Sequence, residues 1–259
     1  MIRLKSEGEI EGIAAAGAIV AQVLDLAAEF AVPGMTTGEL DERAEALIRS
    51  HPGATPAFKG LYGFPATLCT SVNEEVVHGI PSFRCELAEG DIVSVDVGVK
   101  LDGLFADAAV TIPVGPISHE ARDLLEVTRR ALDVGVRSAR EGDRLGDLGA
   151  AIQACVEGAG YSVIRELVGH GVGEAAHEEP QVPNYGIAGR GPRMERGLVI
   201  AIEPMVNQGA RTIRTLDDEW TVVTADGSLS AHFEHTVAVT AAGPRVLTAV
   251  PSGTPAGES

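Results

Sequence analysis

Basic residues are few in this chain: 20 lysines and arginines face 37 aspartates and glutamates, leaving a formal charge of −17. Nucleic-acid binders present a basic face to phosphates, so no nucleic-acid partner is expected. Cysteine is sparse too. Cys69, Cys85 and Cys155 are odd in number, scattered, and form no Cys-x-x-Cys pair, which argues against a disulfide framework and a zinc ribbon. Long apolar runs are also missing: none reaches the ~18 uninterrupted residues of a membrane span. The opening MIRLKSEGEIEG carries charges where a secretory leader would be apolar. These absences point to a cytoplasmic protein with no membrane partner. Aromatic residues make up 4% of the chain, and Trp220 is the one tryptophan, so its place in the polar run DDEWT asks for a reason.

Core material, by contrast, is ample. Hydrophobic residues fill 45% of 259 positions, enough for a single catalytic domain, expected over 1–248, with the breaker-rich 249–259 as a flexible tail. Ser6 and Glu9 form a capping box ahead of an Ala-, Leu- and Val-rich helix to about Phe30. Val32-Pro33-Gly34 ends it, and Thr36 with Glu39 caps a shorter helix through Ile48. Loops and strands are expected over about 54–115, helices near 118–140 and 145–159, then strands again. The order helix, helix, strands thus occurs twice. PGMTTGELDERAEAL (33–47) lines up with EGDRLGDLGAAIQAC (141–155), and His78-x-x-Pro81 with His177-x-x-Pro180. Asp96 and Glu203 each come late in a β-like run. A duplicated α/β fold about a pseudo-twofold axis is expected, with its site between the halves.

Five residues from four segments make an oxygen-rich donor set: Asp96, Asp107, His170, Glu203 and Glu234. Carboxylates with one imidazole suit a pair of divalent first-row ions better than a structural zinc. Two such ions together can activate water and polarise a carbonyl. Along Asp91–Val99, valines 93, 95, 97 and 99 share one face, and Ile92, Ser94, Asp96 and Gly98 the other. Asp102-Gly103 is a two-residue hairpin signal. Folding there pairs Gly98 with Asp107 and puts Asp107 on the face of Asp96, one diagonal step away. A one-residue slip would part them. Gly98 is expected to leave room opposite Asp107 for metal and water, and the glycines beside His170 to let the backbone turn its imidazole inward. Glu234 is expected within a strand, where a buried carboxylate is costly unless paired or metal-bound.

The runs TSVNEEVVHGIP (70–81), VSVDVG (93–98) with FADAAV (105–110), GHGVGEAAHEEPQVPNY (169–185), IEPMVNQG (202–209) and DEWTVVTADGSLSAHFEHTVAVT (218–240) resemble those of type I methionine aminopeptidases. The resemblance extends over roughly residues 5 to 247. It implies the pita-bread fold, an α/β (α+β) domain whose curved antiparallel sheet is covered by two pairs of helices. It also implies Asp96 on one metal, His170 and Glu203 on the other, and Asp107 and Glu234 bridging both, the ions being Co, Mn, Fe(II) or Zn. Water shared by the ions would attack the carbonyl of the N-terminal methionine of a nascent polypeptide, with a small second residue preferred. Glu203 would relay the proton, His177 would hold the developing oxyanion, and His78 would bond the scissile amide nitrogen. Tyr62, Phe64, Cys69 and Trp220 would line the methionine pocket, where a thioether packs well on aromatic rings. Carbonyls near Asn73, Glu75 and Ser230 would hold one Na or K ion. A cytoplasmic monomer meeting its substrates at the ribosome completes what the resemblance implies.

Three positions depart from that pattern and bear on pocket shape. Gly98 stands where Thr is common, Phe64 where Tyr is common, and Ala176 where a bulky aromatic precedes His177. A proline-specific aminopeptidase or prolidase of the same fold is one rival reading, and the run WTVVTADGSLSAHFEHT fits it poorly. A metal-free peptide-binding module is another, and it would require ligands to be lost where all five are present.

Overall fold

The computed structural model describes residues 2–249; residues 250–259 of the expected tail lie outside the described residues. The helices begin where side chains can satisfy their first amides. In α1 (Glu7–Phe30) the Ser6 hydroxyl accepts from Glu9 N, while the Glu9 carboxylate accepts from Ser6 N at 2.8 Å. Thr36 and Glu39 repeat the arrangement at α2 (Thr37–Ser50). By length and hydropathy alone α1 could cross a membrane, yet half of its apolar window is buried in the fold, where Ile13, Ala16, Val20 and Val23 join the core.

β1 (Ala54–Pro56), β2 (Leu68–Val72), β3 (Glu75–Val77), β4 (Ile92–Leu101) and β5 (Leu104–Pro113) follow the first helix pair. β4 and β5 form the expected hairpin, with Asp102 and Gly103 both at positive φ (49° and 90°). Its register pairs Leu101 with Leu104, Gly98 with Asp107 and Asp96 with Ala109, so both aspartates share a face. The opposite face of β4, Val93 through Val99, packs on α1 and α2. Burying each such side chain is worth about 1.5–3 kcal/mol, which presses the hairpin onto the helices and holds its register.

The second helix pair is α3 (His119–Ser138), capped by Ser118, and α4 (Leu145–Gly158). After it come β6 (Ser162–Val163), β7 (Gly169–Gly171), β8 (Glu178–Val182), β9 (Val199–Ile202), β10 (Met205–Asn207), β11 (Ile213–Thr215), β12 (Val222–Thr224), β13 (Ser230–His232), β14 (His235–Thr240) and β15 (Gly243–Val246). The larger sheet of this half runs β15-β14-β9-β7-β8, antiparallel throughout. Ile200, Ile202, Val237 and Val239 pack with Leu124 and Leu132 of α3 and Leu148 and Ile152 of α4. Each half therefore lays a strand pair on its own helix pair, as the sequence repeat predicts.

The halves meet where β5 passes residues 232–236. Glu234 N donates to Ala109 O at 2.9 Å. The Thr111 hydroxyl bonds both the N–H and the carbonyl of His232 (2.9 Å each), and Thr236 Oγ1 bonds the Asp107 carbonyl (2.8 Å) and carboxylate (2.9 Å). Two threonine side chains thus replace ladder hydrogen bonds at this seam. Glu234 lies not within a strand but in the break between β13 and β14, because its backbone bonds to β5 rather than continuing one ladder.

Candidate metal centre

All five expected ligands converge on one cavity of about 600 Å³. Asp107, His170 and Glu234 each place a donor atom within 4.8 Å of the others. His170 Nε2 lies 3.5 Å from Asp107 Oδ2 and 3.5 Å from Glu203 Oε1. Asp96 and Asp107 arrive on the hairpin, His170 in the middle of β7, Glu203 just after β9, and Glu234 in the seam. Outer contacts hold several of them. Asn184 Nδ2 donates to the Glu203 carbonyl at 2.9 Å, and His170 Nδ1 sits 3.0 Å from Gly171 O. A proton on Nδ1 donated to that carbonyl leaves Nε2 free to face the carboxylates.

The glycines around the site serve close packing rather than the purposes expected from sequence. A Cβ on Gly98 would come within 2.7 Å of the Phe58 ring and 2.9 Å of Ala57, so that space belongs to Phe58 and not to metal or water. Gly169 and Gly171 sit in β7 outside the positive-φ region, and the ladder to β8 shifts register between them. Cβ atoms there would meet the Ala201 and Glu179 carbonyls at 2.3 Å. Neighbouring strands need that room.

Electrostatics show what the set lacks. Burial, followed by the charge of Asp107, pushes Asp96 well above the usual carboxylate range. Burial and the neighbouring carboxylates do the same to Glu203 and Glu234. No lysine or arginine lines the cavity among the described residues, and Asp96 Oδ1 is sealed from solvent without a hydrogen-bond partner. Unpaired buried carboxylates are costly, and a divalent cation among them removes that cost, so the residues fit a metal.

Folded carboxylates with raised values keep protons that the unfolded chain has released, so metal-free stability falls as pH rises from about 4.5 toward those values. His78, His177 and His232 are held below 6.5, so they contribute the opposite slope, and that contribution is complete once pH passes 6.5. Above about pH 4.5, over the range in which these carboxylates titrate, the Tm of the metal-free protein should fall relative to that of the metal-loaded protein. Thermal unfolding followed by circular dichroism checks this, and a constant difference between the two curves would contradict it.

The two paired histidines reach the same cavity by different routes. His78 follows β3 at a positive φ of 60°, and burial pushes its imidazole below the ordinary histidine value. His177 stands at the rim just before β8, its ring 4.4 Å from that of His170 and stacked on Tyr62 at 5.8 Å. Partial burial and the His170 ring hold it, too, below the ordinary histidine value.

Beside them Phe58, Phe64, Ala66 and Cys69 form an apolar cluster with Trp220 packed against it. Trp220 meets Phe64 edge-on at 5.1 Å. The polar run around it now has its reason: the Asp218 carboxylate accepts from Trp220 N (2.9 Å) and Thr221 N (2.8 Å), and the turn so closed supplies an indole to the cavity wall. Sequence reasoning missed several lining residues, two of which bear on the chemistry. Phe58 is one. His232 is the other, a buried ring whose Nε2 has no hydrogen-bond partner among the described residues and whose pKa burial pushes down to about 3. Its spacing of two from Glu234 was the available signal. Asn73 and Ser230 are joined through a bond from Ser230 N to the Asn73 carbonyl (2.9 Å), while the Glu75 carboxylate accepts from Val72 N.

Comparison with known proteins agrees with this geometry. The pattern described as "Metallopeptidase family M24" matches residues 11–241. The chain belongs to metallopeptidase family M24. Among M24 relatives, a methionine aminopeptidase of Clostridium perfringens is 53% identical over 250 residues, covering 96% of this chain and all of the relative. Methionine aminopeptidase 1 of Bacillus subtilis is 50% identical over the same share of each. The crystal structure of a methionine aminopeptidase from Thermotoga maritima superposes with a TM-score of 0.94 at 45% identity, covering 96% of this chain and 99% of that one. The α/β architecture of antiparallel sheets and paired helices is therefore the pita-bread fold of this family.

Proposed function

We propose that the chain is a metalloaminopeptidase that removes the N-terminal methionine from polypeptides, with a preference for a small second residue. One observation carries the reading: five metal-type donors, with no lysine or arginine beside them among the described residues, share one cavity with an apolar, aromatic pocket. Asp96, Asp107, His170, Glu203 and Glu234 would hold the metal, with Asp107 and Glu234 at the shared centre. When bound, divalent ions supply activation of water and polarisation of the scissile carbonyl. The protein's own groups do the rest. Glu203, raised in pKa, can take and return a proton. His177 donates to the oxygen on which charge develops, and His78 bonds the amide nitrogen that leaves. Tyr62, Phe64, Cys69, Trp220 and Phe58 receive the methionine side chain and exclude water around it. Finer points belong to the same proposal: two ions from among Co, Mn, Fe(II) and Zn, one Na or K ion near Asn73, Glu75 and Ser230, and one catalytic unit over 1–248. So does its setting, a cytoplasmic monomer that meets nascent chains at the ribosome. The proline-specific alternative is not favoured, since relatives matched over nearly their whole length are methionine aminopeptidases.

Release of methionine from a panel of Met-X peptides under different divalent ions tests the reading. Cleavage of Met-Gly and Met-Ala peptides is expected, with Met-Lys and Xaa-Pro peptides left intact. A metal-saturated protein that releases nothing from any Met-X peptide would sink it. Pocket shape gives a further expectation. Gly98→Thr should drive the Phe58 ring into the methionine pocket and raise KM about 10-fold with little change in kcat, since overpacking costs about 1–3 kcal/mol. Phe58→Leu in the same background should recover most of the loss in steady-state assays. An unchanged KM in Gly98→Thr would show that Phe58 plays no part in the pocket.

A further inference from the structure

The segment before α1 does something its sequence does not announce. Lys5 is among the most deeply buried charged side chains described, 1% exposed, and its ammonium lies 2.6 Å from Glu178 Oε2. Its Nζ also donates to the Arg3 carbonyl at 3.0 Å, and its backbone N–H to the Gly197 carbonyl at 2.7 Å. The other oxygen of Glu178, Oε1, accepts from Glu174 N at 2.7 Å and Ala175 N at 3.1 Å. One carboxylate thus ties down the turn 173–177 from within, and Lys5 ties down the carboxylate. The lysine stem crosses this turn so closely that a Cβ on Gly173 would meet Lys5 Cε at 2.4 Å. Arg3 adds an outer clasp by pairing with both Glu9 and Glu174. The turn so held ends in His177, whose neighbour in sequence is Glu178 itself.

A buried ion pair is a poor way to gain stability, because desolvating both charges offsets most of their attraction. It is a good way to impose one arrangement, because each partner is costly to leave alone. Glycine at 173 and a small residue at 176 give the turn little bulk of its own with which to fix the imidazole. We infer that residues 3–6 form a strap whose Lys5–Glu178 pair holds the 173–177 turn and so orients His177 toward the substrate. Lys5 and Glu178 are positioning residues, acting through His177; the inference rests on the reading of His177 as a substrate-contacting group.

The test uses the full chain with Lys5→Met, Glu178→Gln, the double variant and Lys5→Arg. On a Met-Ala peptide, kcat should fall about 10-fold in each single variant, with KM and divalent-metal affinity within about twofold of the parent. The double variant should lose no more than either single one, since both changes break the same contact. Lys5→Arg should recover at least half of the lost kcat. In the metal-free protein, the imidazole NMR signals of His177 should shift or broaden in Lys5→Met and Glu178→Gln while those of exposed His119 stay in place. Glu178→Gln keeps the shape of the carboxylate and its acceptor oxygen, so it carries the test should Lys5→Met fail to fold. Unchanged kcat below the melting temperature, additive losses, or an unperturbed His177 signal would each overturn the inference. If the parent chain shows no aminopeptidase activity, the functional proposal fails, and the NMR arm still decides whether the strap orients His177.

Discussion

Asp107→Asn and Glu234→Gln are each expected to abolish turnover while the fold persists. Both carboxylates are buried, at 4% and 3% exposure, and both sit in the seam where the halves join. The amides preserve shape. An asparagine at position 107 could still bond the Thr236 hydroxyl through its side-chain oxygen, and the backbone bond between Glu234 and Ala109 does not depend on the side chain. What is lost is negative charge at the shared centre of the donor set. Metal-assisted stabilisation is worth several kcal/mol, so kcat should fall by roughly 10³-fold or more. Circular dichroism and thermal unfolding would check the fold, and peptide assays the rate. Near-normal activity in either variant would refute the shared role.

His177→Ala is the second large effect expected. A neutral imidazole is suited to donate a hydrogen bond, and His177 is kept below its ordinary pKa by partial burial and by the His170 ring. Removing a donor aimed at developing charge typically costs about 10²-fold or more in kcat. The loss should appear in kcat, because the bond strengthens as the oxygen gains charge. An effect confined to KM would make His177 a binding residue. The substitution also removes the ring on which Tyr62 stacks, so Tyr62→Leu serves as the control for that contact.

Much of this site is legible in the chain because its logic is local. Period-two alternation puts Asp96 opposite the valine face, and the Asp102-Gly103 turn sets the register that brings Asp107 beside it. Capping boxes at Ser6 and Thr36 mark helix starts to the residue. Where local reasoning misassigns a cause, a distant neighbour is responsible. The hairpin alone leaves Gly98 facing metal and water, but Phe58 arrives from 40 positions earlier to fill its space. The glycines beside His170 read as freedom for the backbone; they make room for carbonyls of β9 and β8. Glu234 reads as a strand residue, and the seam with β5 interrupts that strand.

The sequence by itself determined the donor chemistry, the duplicated helix-and-strand order and the hairpin register, since side-chain type, periodicity and turn residues act over a few positions. Only the tertiary structure decided that no lysine or arginine among the described residues lines the cavity, that Phe58 and His232 belong to it, and that Lys5 reaches Glu178. Those facts depend on close packing between segments up to 173 positions apart, and no local pattern encodes which distant side chain fills a given space.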